Sequence, residues 1–299
     1  MAIPYNTVAE TGTSVRNVLG GHMSVHTGGG FKHVEDIQVK HSGSWRNTKA
    51  VWVKSGGSWR KVHEGEHFLF NVTIGSDGTG EWSLSSYITS QGYNGNLIKG
   101  LVTVNSTRQQ LNLGNFSGDS KVYLRINNNR RISGKGGNGG SRGGNNGQSG
   151  QRGLYSRTPF VLDNAGIIAG GGGGGAGGNN GECSYTTTYY YGCMKGGQCA
   201  GQTTNTSEAK GGGGGGGAGY PGGSGGGDGG QNGQQNAGGG GGGNGGCGSN
   251  SGGSGGNLGN AGQNAGGTAG SSGTAIDGWS YRYGQSGNND GDIRGPKIN

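Results

Sequence analysis

Ser133-Gly134-Lys135-Gly136-Gly137-Asn138-Gly139-Gly140-Ser141-Arg142-Gly143 places a glycine at every third position from Gly134 onward. The spacing resumes after a one-residue slip at Gly144, Gly147, Gly150 and Gly153, and again at Gly253, Gly256, Gly259 and Gly262. A period of three fits an extended left-handed helix with three residues per turn, a rise of about 3.1 Å and no internal hydrogen bonds. Its N–H and C=O groups must then pair with neighbouring segments or with water. Glycine, lacking a Cβ, lets neighbouring backbones come close enough to pair. Only 4 prolines occur in the chain, too few for the X and Y positions of a collagen triple helix.

Ordering a backbone residue costs about 1 to 2 kcal/mol, with glycine at the costly end, while one net hydrogen bond contributes about 0.5 to 1.5 kcal/mol. A single layer of such helices is therefore marginal. Stacked layers, in which inner segments also gain dense dispersion contacts, are the stable expectation. Polar segments at 154–165, 179–210, 220–236 and 276–299 interrupt the glycines. Within the stretches between them, runs of roughly 8 to 12 residues are rods of about 25 to 37 Å that can fold back on one another. Composition alone would equally suit a disordered low-complexity tail. The period of three and the apolar punctuation at Ile167-Ile168 and Ala275-Ile276 argue for order.

Working outward, the composition changes near Ser133. With 82 glycines and 27% hydrophobic residues in 299, a conventional core cannot run throughout. Residues 1–132 have ordinary composition, with strand-like runs at 68–74, 101–104 and 122–126 between Gly, Asn, Ser and Asp turns. The expected fold is a mostly β N-terminal region plus a polyglycine-II helix sandwich with variable loops, and little or no α-helix. Its expected parts are an attachment region over 1–65, a small β domain over 66–132 and a glycine-rich domain over 133–299. Within the first, Ile37 to Ala50 aligns with Val51 to Glu64 as a tandem repeat, each unit carrying Gly-Ser-Trp-Arg. Each unit reads as strand, glycine turn, strand. Trp45, Trp52 and Trp59 are then either the core of a β-meander or an assembly surface.

The formal net charge of +8 comes from Lys32 to Lys61 and Lys121 to Arg157, with 13% charged residues overall. This suits mild steering toward an anionic surface. No RNA- or DNA-binding pattern accompanies it, so nucleic acid is not an expected partner. Met1 to Asn6 offers neither a basic nor an apolar leader, and no stretch approaches about 20 apolar residues. The expectation is a soluble protein that does not insert in a membrane and leaves its cell by particle assembly and lysis.

Catalysis is not expected. His63-Glu64-Gly65-Glu66-His67 matches H-E-x-x-H, but that chemistry needs a helical turn to align both His ligands, and strand-like sequence flanks it with Gly65 at its centre. Gly170, Gly172 and Gly175 satisfy G-x-G-x-x-G only because glycine is everywhere, with no βαβ pattern around them. No metal site and no cofactor are expected.

Cys183-Ser184-Tyr185-Thr186-Thr187-Thr188-Tyr189-Tyr190-Tyr191-Gly192-Cys193 concentrates aromatics in a region otherwise almost without them. Tyrosine with Ser, Gly and Asn is the composition of recognition loops, since Tyr gives a large amphipathic contact at low rotamer cost. Tyr185, Tyr189, Tyr190 and Tyr191 are therefore the first candidate binding residues. Met194, Tyr155, Phe160, Tyr220, Trp279, Tyr281 and Tyr283 follow, with packing against lattice edges as their alternative role. Cys183, Cys193, Cys199 and Cys247 are the only cysteines, and four allow three pairings. A Cys183–Cys193 bridge would pin the tyrosine loop.

Gly136-Gly137-Asn138-Gly139-Gly140 after a β segment, Ile168-Ala169-Gly170 opening a long glycine run, and the ending Ile293-Arg294-Gly295-Pro296-Lys297-Ile298 resemble the tip adhesins of T-even-type bacteriophage long tail fibres. The resemblance implies a polyglycine sandwich whose variable loops bind a host outer-membrane protein, with lipopolysaccharide as an additional contact. It also implies a virion location at the distal tip of the fibre, attachment to a trimeric fibre shaft and synthesis in the host cytoplasm, where disulfides would form only after release. Ala9-Glu10-Thr11-Gly12 and Met23-Ser24 are faintly similar to the family's attachment segment, whereas the Trp-Arg repeat over 31–65 departs from it. A structural glycine-rich matrix protein and an ice-binding polyglycine bundle are the alternatives: the first would self-assemble without a loop-dependent partner, the second would show thermal hysteresis.

Overall fold

The computed structural model describes residues 24–27, 30–33, 38–47, 50–64, 67–93, 95, 97–116, 119–193, 198–283 and 290–299. Three antiparallel hairpins come first: β1 (Ser24–Thr27) with β2 (Gly30–His33), β3 (Gln38–His41) with β4 (Ser44–Asn47), and β5 (Ala50–Ser55) with β6 (Ser58–Glu64). The last two carry the tandem repeat and share a register, Lys40 opposite Trp45 and Lys54 opposite Trp59. Two-residue turns close both, with positive φ at Ser42 and Gly43 and at Gly56 and Gly57. That geometry matches the twist of paired strands.

From His67 the chain alternates between two sheets. The first alternating strands are β7 (His67–Ile74), β8 (Gly78–Ser83), β9 (Leu97–Val104), β10 (Thr107–Asn112), β11 (Lys121–Ile126) and β12 (Arg131–Ser133). Beyond the first glycine segment come β13 (Leu154–Tyr155), β14 (Phe160–Asn164) and β15 (Ile167–Ala169). An antiparallel ribbon follows, β16 (Gly181–Gly192) with β17 (Gln198–Ala209). The chain ends with β18 (Ile276–Asp277), β19 (Asp292–Arg294) and β20 (Lys297–Ile298).

One sheet runs β14-β11-β9-β7; the other runs β19-β15-β12-β10-β13-β18-β20, with β8 also paired to β10. Every pairing in both sheets is parallel. Leu124 stands in register with Val102 on one side and Leu162 on the other, so like side chains stack from coil to coil. Continuous apolar runs are what strands buried on both faces require. The core between the sheets holds Ile98, Val102, Leu111, Leu124, Phe160, Leu162 and Ile276, all essentially inaccessible. Strands on both sides of Ser133 share it.

As expected from the sequence, the chain is mostly β. Among the described residues one α-helix occurs, α1 (Leu84–Ser90). The Ser83 side chain accepts the Ser86 N–H at its start, and Leu84 and Ile88, one turn apart, are buried.

Between and beyond these strands, 134–275 runs up and down in extended segments. The innermost, 170–178, donates from Gly171 to the Gln151 carbonyl, from Gly172 to Ala218 and from Gly173 to Asn260, at 2.9, 2.7 and 3.0 Å. Three residues later the pattern repeats, Gly174 to Gln148, Gly175 to Gly215 and Ala176 to Gln263. Meanwhile Gly273, Gly137 and Gly256 donate to the carbonyls of Gly171, Gly172 and Gly173. Segment 211–219 does the same with 134–143, 221–227, 228–234, 237–243 and 250–256. A Cβ on Gly172 would collide with the Gly256 carbonyl oxygen and one on Gly215 with that of Gly239, which is why these positions are glycine.

Candidate functional site

The direction of the glycine segments defines two ends. Segment 170–178 leaves β15 in the second sheet, and 211–219 returns antiparallel to it, Gly172 pairing with Ala218 and Gly178 with Gly212. Nine extended residues, at about 3.3 Å each or slightly less, put the far end roughly 30 Å from the sheets. The connection at that end is the β16–β17 ribbon. The turns at 143–145, 227–229, 243–250 and 264–267 close the neighbouring segments on the same side, as their hydrogen-bond directions show.

From sequence, 183–193 is expected to be a loop. The structure corrects this to a 24-residue ribbon of two strands, Gly181 opposite Ala209 and Gly192 opposite Gln198. Threonine and tyrosine favour strands because their side chains fit the pleated surface. The same signal was present in Gln202-Thr203-Thr204-Asn205-Thr206, the partner strand that sequence reasoning did not single out. The ribbon is bare on both faces: Tyr185, Tyr189, Tyr190 and Tyr191 are 58%, 51%, 68% and 53% exposed. Tyr189 and Tyr191 stack at a centroid distance of 6.1 Å.

The cysteines pair differently from the Cys183–Cys193 bridge considered in sequence. Cys183, near the ribbon's base, is joined to Cys247 in the 243–250 turn, and Cys193 to Cys199 at the ribbon's tip. Strand register explains the change. Cys183 lies opposite Ser207 and Cys199 opposite Tyr191, so the length of the ribbon separates Cys183 from Cys193.

Around the base, the Gly245 N–H donates to the Lys210 carbonyl and the Asn250 N–H to that of Asn179. Arg142 and Asp228, from two neighbouring turns, approach to 3.6 Å. Both are partly solvent-exposed, so the pair contributes little to stability.

The remaining candidates do not join the ribbon. Phe160 is corrected outright: it is fully buried in β14, within the core between the sheets, and cannot touch a partner. Its neighbours Val161 and Leu162, also buried, mark a core strand rather than a loop. Tyr155 is half-buried on β13, with the guanidinium groups of Arg152 and Arg157 at 4.5 and 4.8 Å from its ring centroid. Arg157 also donates to Asp277 at 2.7 Å, and this hydrogen bond raises its pKa further above the ordinary guanidinium value. Trp279 and Tyr281 pack against the sheet core, with Arg282 and Lys297 over the Trp279 ring at 4.8 and 4.6 Å. Tyr283 is half-buried, and its N–H donates to the Phe160 carbonyl. Tyr220 is half-buried at the sheet end of the lattice, its N–H on the Gly134 carbonyl. Trp279, Tyr281 and Tyr283 hold the C-terminal segment to the sheets. Met194 lies outside the described residues.

Trp45, Trp52 and Trp59 are 66%, 51% and 65% exposed on their hairpins, which removes the reading of them as a β-meander core. His63 and Glu64 end β6 and His67 begins β7, so the described residues of the H-E-x-x-H match lie on strands. Among the described residues no group of His, Cys, Asp and Glu could hold a metal ion, and no helix is long and apolar enough to cross a membrane.

Residues 69–298, from β7 to β20, match the family model described as phage tail fibre adhesin Gp38. Neither a search of curated proteins nor one of solved structures gave a match. With a match that spans both sheets, the glycine segments and the tyrosine ribbon, the chain belongs to the phage tail fibre adhesins, virion tail proteins that bind a receptor on the host surface.

Proposed function

We propose that this adhesin sits at the distal tip of a T-even-type long tail fibre and that its β16–β17 ribbon makes the first contact with a host outer-membrane protein. The carrying observation is four tyrosines, each more than half exposed, on a ribbon at the end of the lattice away from the sheets. In this reading 134–275 is a polyglycine-II sandwich. Supporting it is the three-residue repeat of hydrogen bonds to different neighbours, which a helix with three residues per turn generates. A scaffold held by backbone alone leaves its turns free to vary, as a recognition surface requires.

The activity is binding rather than catalysis, and it needs no cofactor. The turns beside the ribbon supply secondary contacts, with lipopolysaccharide within their reach. The Trp hairpins, which precede the family match, attach the chain to the trimeric fibre shaft; exposed Trp45, Trp52 and Trp59 beside basic residues support that role. Synthesis takes place in the host cytoplasm, and the disulfides form after release.

The test is phage adsorption with Tyr189, Tyr190 and Tyr191 all replaced by Ala. Adsorption is expected to fall by about 10-fold or more, since buried interface aromatics typically carry most of a binding energy. Unchanged adsorption by a folded triple variant sinks the ribbon's role.

A further inference from the structure

Side chains directly opposite in an antiparallel pair share a face, and successive side chains alternate between faces. The register Tyr185–Asn205, Thr187–Thr203 and Tyr189–Gly201 therefore puts Tyr185, Thr187, Tyr189, Tyr191, Thr203 and Asn205 on one face. Tyr190, opposite Ala200, lies on the other with Thr186, Thr188 and Thr204. The contacts follow this division: the Tyr189 and Tyr191 rings stack on one side, and the Thr186 and Thr204 hydroxyl oxygens lie 3.4 Å apart on the other.

Three further features single out the tyrosine face. A Cβ at Gly201 would collide with the Tyr189 ring, so this ring lies across the partner strand and makes the face flat. Cys183 and Cys199 are in phase with the tyrosines, so both disulfides emerge on that face, one at each end. Through Cys247 the 243–250 turn is tied to the same side of the base. A two-stranded ribbon is marginal by itself. Staples at both ends hold this strip in one shape before binding, which lowers the ordering cost of association.

Charge decides what the strip fits. The chain carries a formal net charge of +8, yet 183–193 and 198–207 contain no Lys, Arg, Asp or Glu. A phosphate-bearing glycolipid calls for cations on its binding surface. Aromatic rings interspersed with hydroxyls and amides instead match an uncharged protein surface.

Resting on the proposed receptor role of the ribbon, we infer that recognition is one-sided: the face carrying Tyr185, Tyr189 and Tyr191 reads an uncharged polypeptide surface, and the Tyr190 face stays in solvent.

The test is binding of the purified full chain to outer-membrane vesicles of the host strain, intact or protease-shaved, at about 0.05 and about 0.3 M salt. Tyr189→Ala, Tyr191→Ala and Thr187→Arg are expected to lower affinity by about 10-fold or more, and Thr186→Arg and Thr188→Arg, on the far face, by less than about 2-fold. Affinity should change by less than about 3-fold across the salt range, and shaved vesicles should not bind. Disulfide formation, confirmed by mass, shows that each variant has a closed ribbon. Equal losses from substitutions on both faces overturn one-sidedness while leaving the ribbon as the binding element. No loss from any of the five substitutions overturns the receptor role itself. Retained binding to shaved vesicles, or a steep loss with salt, assigns the ligand to an anionic glycolipid and overturns the polypeptide assignment.

Discussion

The paired sheets and the glycine lattice run side by side in one chain, yet they are filled with different matter. Between the sheets, backbone hydrogen bonds link strands in one lateral direction and buried Leu, Ile, Val and Phe side chains fill the other. In 170–178 and 211–219 backbone bonds leave in every lateral direction, and the buried apolar cluster shrinks to Ala169, Ala218 and Leu258. A side-chain core tolerates trimming, because its neighbours relax partly into a cavity. A backbone core has no such slack inside, but it leaves the connections at its ends free to take any sequence. That contrast accounts for a close-packed lattice carrying a ribbon as unusual as β16–β17 at its end.

The contrast is most exposed at Gly215, where an added side chain meets the Gly239 carbonyl rather than a movable side chain. Gly215→Val is expected to destabilise by roughly 4 kcal/mol or more, read as a large drop in thermal midpoint or a failure to fold. Gly243, which has open space around the Cβ position, should accept Ala within about 0.5 kcal/mol. Equal effects at both sites would remove the idea of a close-packed backbone core. In the sheets, Leu162→Ala should cost about 2 to 5 kcal/mol in the same unfolding experiment, with the folded state retained.

The ribbon belongs to neither core, and its order should depend on its staples. Replacing Cys183 and Cys247 together by Ser is expected to lower the local opening free energy of β16 and β17 by about 1 to 3 kcal/mol. Hydrogen exchange would show this as faster exchange over 181–209 with 170–178 still protected. A smaller loss is expected of Ala218→Gly inside the lattice, which should destabilise by about 0.5 to 1 kcal/mol, chiefly by loosening the unfolded chain. A stabilising effect there would mean that the lattice is strained around that methyl group.

Much of this was legible in the residues. The apolar runs at 68–74, 101–104 and 122–126 lie in β7, β9 and β11; β9 and β11 are buried on both faces and need continuous hydrophobicity, whereas β7, at the sheet edge, leaves Leu69 exposed. The tyrosine cluster was visible as composition. The parallel pairing was not, since no local signal says that Leu124 will lie between Val102 and Leu162, more than 20 and nearly 40 residues away. Nothing local marks Phe160 as core, since turn-forming residues flank its strand and its burial depends on β11 beside it.

Composition and spacing were enough to imply a chain whose order must come from its own backbone, since a run of glycines has no side chains with which to build anything else. Tertiary structure alone decided which carbonyl each N–H meets, that Cys183 reaches Cys247, and that Tyr189 and Tyr191 share a face from which Tyr190 is turned away. Those outcomes depend on strand register and on the packing of segments distant in sequence, and neither is encoded in any short stretch of residues.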